Sequence, residues 1–171
     1  MDLFLGQYFS DKEVQELLDK GLAVDGRKGG LVIGQSHKEG HISMLAKQDG
    51  YGYKFTGHIE GYEYVINSYA SNLYYTYCEQ FNKSIERNFH LEYNRNPKGI
   101  TIIDCYTNIK GKSKFILMDK GHWVINTHST EKYLFYLEQI NNLKFNPNNI
   151  KKGKFFFGVS FKNKLKRFFK L

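Results

Sequence analysis

The sequence predicts an α+β fold, and three observations lead to that prediction. The chain has 171 residues, which is the usual size of one domain. Short β-rich runs bounded by turn signals alternate with apolar stripes at helical spacing. The same order of elements occurs twice. We therefore expect one domain over residues 1–171, in which two repeat-related helices pack on an antiparallel sheet of six to eight strands.

The first half of the chain begins with a predicted helix over residues 11–20. Ser10 and Glu13 have the spacing of a capping box, and Gly21 is a stop signal. A second helix is predicted over 69–83, where apolar residues from Ala70 to Phe81 recur on one face. Between the helices lie β-rich runs, two of them joined by the hairpin signal Asp49-Gly50. Strands are predicted at 31–34, 41–47, 51–58 and 62–66.

The second half repeats this order. Strands are predicted at 100–106, 114–118 and 122–125, and a helix at 129–142. A shift of 59 residues places Val65-Ile66-Asn67 on Val124-Ile125-Asn126 and gives eight identities over about twenty positions without a gap. We interpret the match as an internal duplication of a ββα unit, with halves at about 30–83 and 99–142.

The positive charge is concentrated at the carboxyl end. The net charge is +8, but residues 1–138 contain 16 basic and 17 acidic residues, whereas residues 139–171 contain nine basic and no acidic ones. The segment 151–171 ends in a short basic amphipathic pattern, which favours binding to nucleic acid or an anionic surface. There are two alternatives: a solvated lysine-rich edge, because 21 Lys against 4 Arg also fits codon bias, and a helix that docks on the rest of the domain through Phe161, Leu165 and Phe168 with its lysines exposed. The basic residues of this pattern are Lys162, Lys164, Lys166, Arg167 and Lys170.

Two tripeptides that begin with histidine contain residue types that could act in catalysis. His41-Ile42-Ser43 and His128-Ser129-Thr130 are both of the form H-x-[S/T]. This pattern resembles the two-histidine phosphoesterases. The resemblance implies that His41 and His128 act as acid and base while the hydroxyls of Ser43 and Thr130 hold phosphate. It is incomplete, because the internal alignment places Tyr69 opposite His128.

Neither a metal nor another cofactor is expected. His37 and His41 have the i, i+4 spacing of two ligands on a helix, but Gly40 and the β-rich run after it indicate a turn. The two cysteines, Cys78 and Cys105, have no metal-type spacing, and we expect buried free thiols.

The aromatic content suggests a protein partner. Six tyrosines fall within sixteen residues, Tyr62 and Tyr64 among them. Nearby glutamates disfavour nucleic acid, whereas tyrosine is enriched at protein interfaces. The sequence contains no P-loop and no nucleophile elbow. We therefore expect a non-enzymatic protein-binding module, such as an accessory or immunity-type factor. Binding through the carboxyl-terminal segment is the alternative, and a phosphoesterase the second alternative.

The amino-terminal sequence bears on the cellular localisation of the protein. It has no basic region followed by an apolar stretch, and the sequence contains no run long enough to span a membrane. We expect a cytoplasmic protein.

Overall fold

A computed structural model describes residues 3–82, 99–105 and 114–147. In this part of the chain nine strands and four helices follow one another. They are β1 (Tyr8–Phe9), α1 (Asp11–Asp19), β2 (Ala23–Asp25), β3 (Gly30–Ile33), β4 (Ile42–Lys47), β5 (Tyr53–Ile59), β6 (Tyr64–Ile66), α2 (Ser68–Leu73), α3 (Tyr75–Asn82), β7 (Ile102–Asp104), β8 (Phe115–Met118), β9 (Trp123–Ile125) and α4 (Thr127–Asn141).

The strands form two mixed sheets. One has the order β1-β5-β4-β8-β2 and the other β7-β3-β6-β9. Strand β8 runs parallel to both β4 and β2, and β3 runs parallel to β7, whereas the other pairs are antiparallel. The α+β class is confirmed, but the single antiparallel sheet is wrong. Both β3 and β8 are continuous apolar runs, which is the pattern of strands covered on both faces.

The elements pack in four layers. One apolar cluster lies between the two sheets and contains Val32 and Ile116. A second packs α3 and α4 against the outer face of the four-stranded sheet. A third packs α1 against the five-stranded sheet through Val14. Helix α1 has the predicted capping box, with the Ser10 side chain accepting from the Glu13 backbone.

The predicted helix over 69–83 is interrupted. Helix α2 ends at Leu73, its C-cap Tyr74 has a non-helical φ of −113° and ψ of 27°, and α3 starts at the next residue. Of the apolar residues predicted to share one buried face, Leu73 is 59% exposed, whereas Cys78 and Phe81 are buried as expected.

The β6–β9 pair, at one edge of the four-stranded sheet, has local two-fold symmetry. Strands β6 and β9 are antiparallel with Val65 opposite Val124, two residues that the 59-residue shift superimposes. Each strand leads into a helix capped by asparagine. Asn67 makes three hydrogen bonds of 2.8–2.9 Å to Asn141, and Asn126 makes the same three to Asn82.

Candidate functional site

Two glycines bring a loop and a turn into backbone contact. A Cβ on Gly61, in the β5–β6 turn, would lie 2.2 Å from the carbonyl oxygen of Gly34 at the end of β3. The Gly61 amide donates to the Gln35 carbonyl (2.9 Å), and the Tyr62 amide donates to the Val32 carbonyl (2.7 Å). Only glycine permits so close an approach. The β3–β4 loop is therefore held against the β5–β6 turn.

Three histidines meet beside this crossing, and we name His37, His41 and His58 the histidine cluster. His37 and His41 lie in the β3–β4 loop, with their Nδ1 atoms 3.1 Å apart. His58, near the end of β5, stacks on His41 with ring centroids 4.3 Å apart. All three side chains are exposed. The cluster thus presents three imidazoles to solvent from two segments of the chain.

The carboxylate of Glu60 connects the cluster to α4. It accepts a hydrogen bond from the His37 backbone amide (3.3 Å) and another from the Thr127 hydroxyl (3.2 Å). Thr127 is the first residue of α4. Glu60 also donates its own amide to the Glu63 carboxylate (3.0 Å). One acidic side chain therefore bridges the histidine-bearing loop and the first turn of α4.

Two groups at the site have shifted acidities. Desolvation lowers the pKa of His58, and the neighbouring His41 and His37 lower it further. Burial raises the pKa of Glu63; the hydrogen bond from the Glu60 amide opposes this rise, and the charge of the Glu60 carboxylate adds to it. The lowered pKa of His58 favours the neutral imidazole, and a neutral imidazole has one ring nitrogen with an available lone pair.

The first predicted tripeptide lies at this site. His41 belongs to the histidine cluster, and Ser43 is buried at the start of β4. Ser43 stands opposite His58 in the β4–β5 register. The sequence alone gave no reason to group His58 with His41, since that grouping depends on the hairpin register.

The second predicted tripeptide opens α4. His128 lies in the first turn, next to the Thr127 that contacts Glu60. Thr130 is fully buried, and its hydroxyl donates to the Ile125 carbonyl (3.1 Å). Glu60 thus bonds to the His37 amide, in the loop that carries His41, and to Thr127, which precedes His128. The Thr130 hydroxyl is bonded to Ile125, five residues earlier in the chain.

The predicted binding residues fall in different environments. Tyr62 is half-buried, and its backbone has a φ of 71°, which residues other than glycine rarely adopt. Tyr64 is completely buried, so it offers no surface to a partner in this structure. Lys162, Lys164, Lys166, Arg167 and Lys170 lie outside the described residues, as does the predicted amphipathic pattern.

A second exposed feature lies on the helical layer, and we name Tyr69, Leu73, Tyr75 and Trp123 the aromatic face. Tyr69 is 68% exposed and Tyr75 54% exposed. Tyr69 and Leu73 are i, i+4 neighbours on α2. The Tyr75 ring meets the half-buried Trp123 ring edge-on at 5.0 Å. The tyrosine-rich run noted in the sequence contains Tyr69 and Tyr75, whereas Leu73 was predicted to lie in the buried stripe and Trp123 was not considered.

Over residues 3–82, 99–105 and 114–147, no group of three or more His, Cys, Asp or Glu side chains could hold a metal ion. None of the helices in those ranges is long and apolar enough to cross a membrane.

Comparison with known proteins gives no relative. No protein-family model, curated protein or solved structure matches this chain.

Proposed function

We propose that this protein is a non-enzymatic protein-binding module and that the aromatic face is its partner surface. The observation that carries the proposal is the exposure of three large apolar side chains, Tyr69, Leu73 and Tyr75, within seven residues of α2 and α3. Single exposed apolar residues are ordinary, whereas a group of them marks an interaction surface.

The chemistry of this face suits a protein more than a polyanion. Tyrosine and tryptophan supply most of the binding energy at many protein interfaces, because they bury a large area and lose little rotamer entropy. The edge-on contact between Tyr75 and Trp123 fixes both rings before binding. No lysine or arginine occurs between residues 55 and 82, the range that contains α2 and α3, so phosphate has little to attract it there.

A crosslinking experiment tests the proposal. A photoreactive amino acid replaces Tyr69 in the intact protein in its native host, and the control carries the same residue at Tyr51, which is 83% exposed in the β4–β5 hairpin. A discrete adduct from position 69 and not from position 51 is expected. Tyr69→Ala and Leu73→Ala should then weaken binding of that partner at least tenfold without changing Tm. Equal adducts from both positions, or variants that bind normally, would contradict the proposal.

The other functional hypotheses remain predictions. Binding to nucleic acid or an anionic surface would use residues 151–171, and a mobility-shift assay at two salt concentrations tests it. A phosphoesterase using His41 and His128 is supported only by the approach of their segments, since Glu60 bonds to the His37 amide and the Thr127 hydroxyl, and the Thr130 hydroxyl is already bonded to Ile125. A cytoplasmic accessory or immunity-type role is a proposal of the same kind.

We also infer that the fold arose by duplication of a ββα unit, which the matching contacts of its second strand and helix support. The hydrogen bonds of Asn67 and Asn126 match at a separation of 59 residues, as do those of the buried hydroxyls of Ser71 and Thr130 to Ile66 and Ile125. The first copy divides its helix into α2 and α3, whereas the second keeps α4 continuous. A search for this chain's relatives that contain one copy and dimerise would test the inference.

A further inference from the structure

We propose that the histidine cluster binds a divalent transition-metal ion, such as Zn²⁺, Ni²⁺ or Cu²⁺, with His37 and His41 as its two protein ligands. Their Nδ1 atoms are 3.1 Å apart. Two nitrogens at about 2.0–2.1 Å from one ion are about 3.4 Å apart at a tetrahedral angle and about 2.9 Å apart at a right angle. The observed separation lies between these values.

His58 packs against this pair and is not one of the ligands in the proposal. Its ring stacks on His41 at a centroid distance of 4.3 Å and a tilt of 27°, so the lone pairs of the two rings do not converge on one ion. In the described residues no group of three or more His, Cys, Asp or Glu side chains could hold a metal ion, which limits the protein ligands to His37 and His41. Imidazole is a preferred ligand of Zn²⁺, Ni²⁺ and Cu²⁺, and solvent would complete the coordination.

The backbone around the cluster is held in place without a metal. The Gly34–Gly61 crossing fixes one end of the loop. The Glu39 carboxylate accepts from the amide (2.9 Å) and the hydroxyl (3.2 Å) of Ser36, which closes the loop on itself. A loop restrained in this way loses little conformational entropy when a metal binds.

The charges around the cluster favour a cation. Glu60 contacts the His37 amide directly, and Glu39 and Glu63 lie on the same loop and turn. Lys38, which lies between His37 and His41 in the sequence, offsets one of these negative charges. Glu60 bonds to the His37 backbone amide, so its contribution to the site is negative charge and support of the loop.

Calorimetric titration of the full chain with ZnCl₂ and NiCl₂ tests the proposal. One ion per chain is expected, with affinity reduced at least tenfold in His37→Ala and in His41→Ala and less strongly in His58→Ala. His122→Ala is the matched control. His122 lies in the β8–β9 turn, outside the histidine cluster, and its Nδ1 is 2.8 Å from the Asp119 carbonyl oxygen. Electron paramagnetic resonance with Cu²⁺ should show nitrogen coupling that His41→Ala weakens.

The contrary outcomes are equally specific. No binding at roughly millimolar metal, or binding that none of the three cluster variants reduces, would overturn the proposal and leave the 3.1 Å contact as a hydrogen bond between imidazoles. If the alanine variants fail to fold, protection from diethyl pyrocarbonate in the unaltered protein decides. Ni²⁺ should protect His37 and His41 and leave His122 reactive, and the absence of such protection would also overturn it.

Discussion

The hydroxyl of Tyr64 donates a hydrogen bond to the carboxylate of Glu138, which joins β6 to α4. The same carboxylate accepts from the amide (3.0 Å) and the hydroxyl (2.6 Å) of Thr101 and from the Asn142 side chain (2.7 Å). Burial raises the pKa of Tyr64, and the bond to Glu138 raises it further. The tyrosine therefore stays a donor, and Glu138 holds three segments of the chain together.

Glu138→Gln should lower the free energy of unfolding by about 2–4 kcal/mol. The amide keeps one acceptor oxygen and turns an NH₂ group toward donors, which leaves buried polar groups unpaired. Tyr64→Phe should cost less, about 1–2 kcal/mol, because the carboxylate keeps its other donors. Urea unfolding measures both, with the exposed Glu16→Gln as the control. A Glu138→Gln protein as stable as the control would contradict the structural role.

Asn67→Ala and Asn126→Ala should destabilise the protein by similar amounts, about 2 kcal/mol each. Each side chain accepts from a helix-start amide, Ala70 for Asn67 and Ser129 for Asn126, and a lost cap alone costs about 1 kcal/mol. The bonds to Asn141 and Asn82 add to that cost. Urea midpoints compare the two variants with Asn72→Ala, which removes an exposed side chain of α2. Costs that differ by more than about 1 kcal/mol would show that the two caps are not equivalent.

Local patterns in the sequence predicted most of the elements. The Ser10–Glu13 box, the hairpin at Asp49-Gly50 and the apolar face of α4 are signals contained within a few residues, and the structure confirms each one. Strand β2 was missed because its three residues, Ala23–Asp25, are too short to show a period. Its partner β8 begins about ninety residues later, so the residue pattern around β2 does not indicate the pairing.

The candidate site was predictable only in part. The turn at His37–His41 followed from Gly40 and the β-rich run after it. His58 lies beside His41 because of the β4–β5 register, and Glu60 contacts Thr127 because of the packing of α4. The Gly34–Gly61 crossing is likewise a tertiary contact, which no spacing along the chain indicates.

Gly61→Ala should disrupt the crossing that supports the histidine cluster. The new Cβ would lie 2.2 Å from the Gly34 carbonyl oxygen, so the backbone must move, and overpacking of this kind costs about 1–3 kcal/mol. Gly50→Ala is the control, because a Cβ there meets nothing within 4 Å and only its φ of 92° is unfavourable. Thermal unfolding and the His58 ring resonances should change more in Gly61→Ala. Equal effects of the two substitutions would argue against a tight crossing.

Both cysteines should resist thiol reagents in the folded protein. Cys78 and Cys105 are fully buried. Burial raises the pKa of each thiol to about 12, with the charge of Asp104 adding to the effect at Cys105. The thiolate is the reactive species, so Ellman's reagent at mild pH should react slowly in buffer and quickly in denaturing urea. Rapid reaction of either thiol without denaturant would show that its region of the core opens readily.

The Asp25–Arg27 pair should give stability that disappears in acid. Asp25 accepts from the Arg27 side chain at 2.9 and 2.7 Å and from its amide at 3.0 Å. The side-chain hydrogen bond is the largest cause of the lowered pKa of Asp25. An acid with a lowered folded-state pKa stabilises the protein above its unfolded pKa, near 3.9, and loses that contribution as the pH falls through the folded value.

Both side chains of this pair are almost half exposed, so solvent screening limits the effect to under about 1 kcal/mol. Asp25→Asn should therefore be less stable than the unaltered protein at neutral pH, and the difference should shrink once the pH falls below the folded-state pKa. High salt should reduce the difference at neutral pH as well. Urea unfolding at several pH values and two salt concentrations measures it. A difference that is the same at every pH would mean that Asp25 stabilises the β2 end by its shape and neutral hydrogen bonds, with no contribution from its charge.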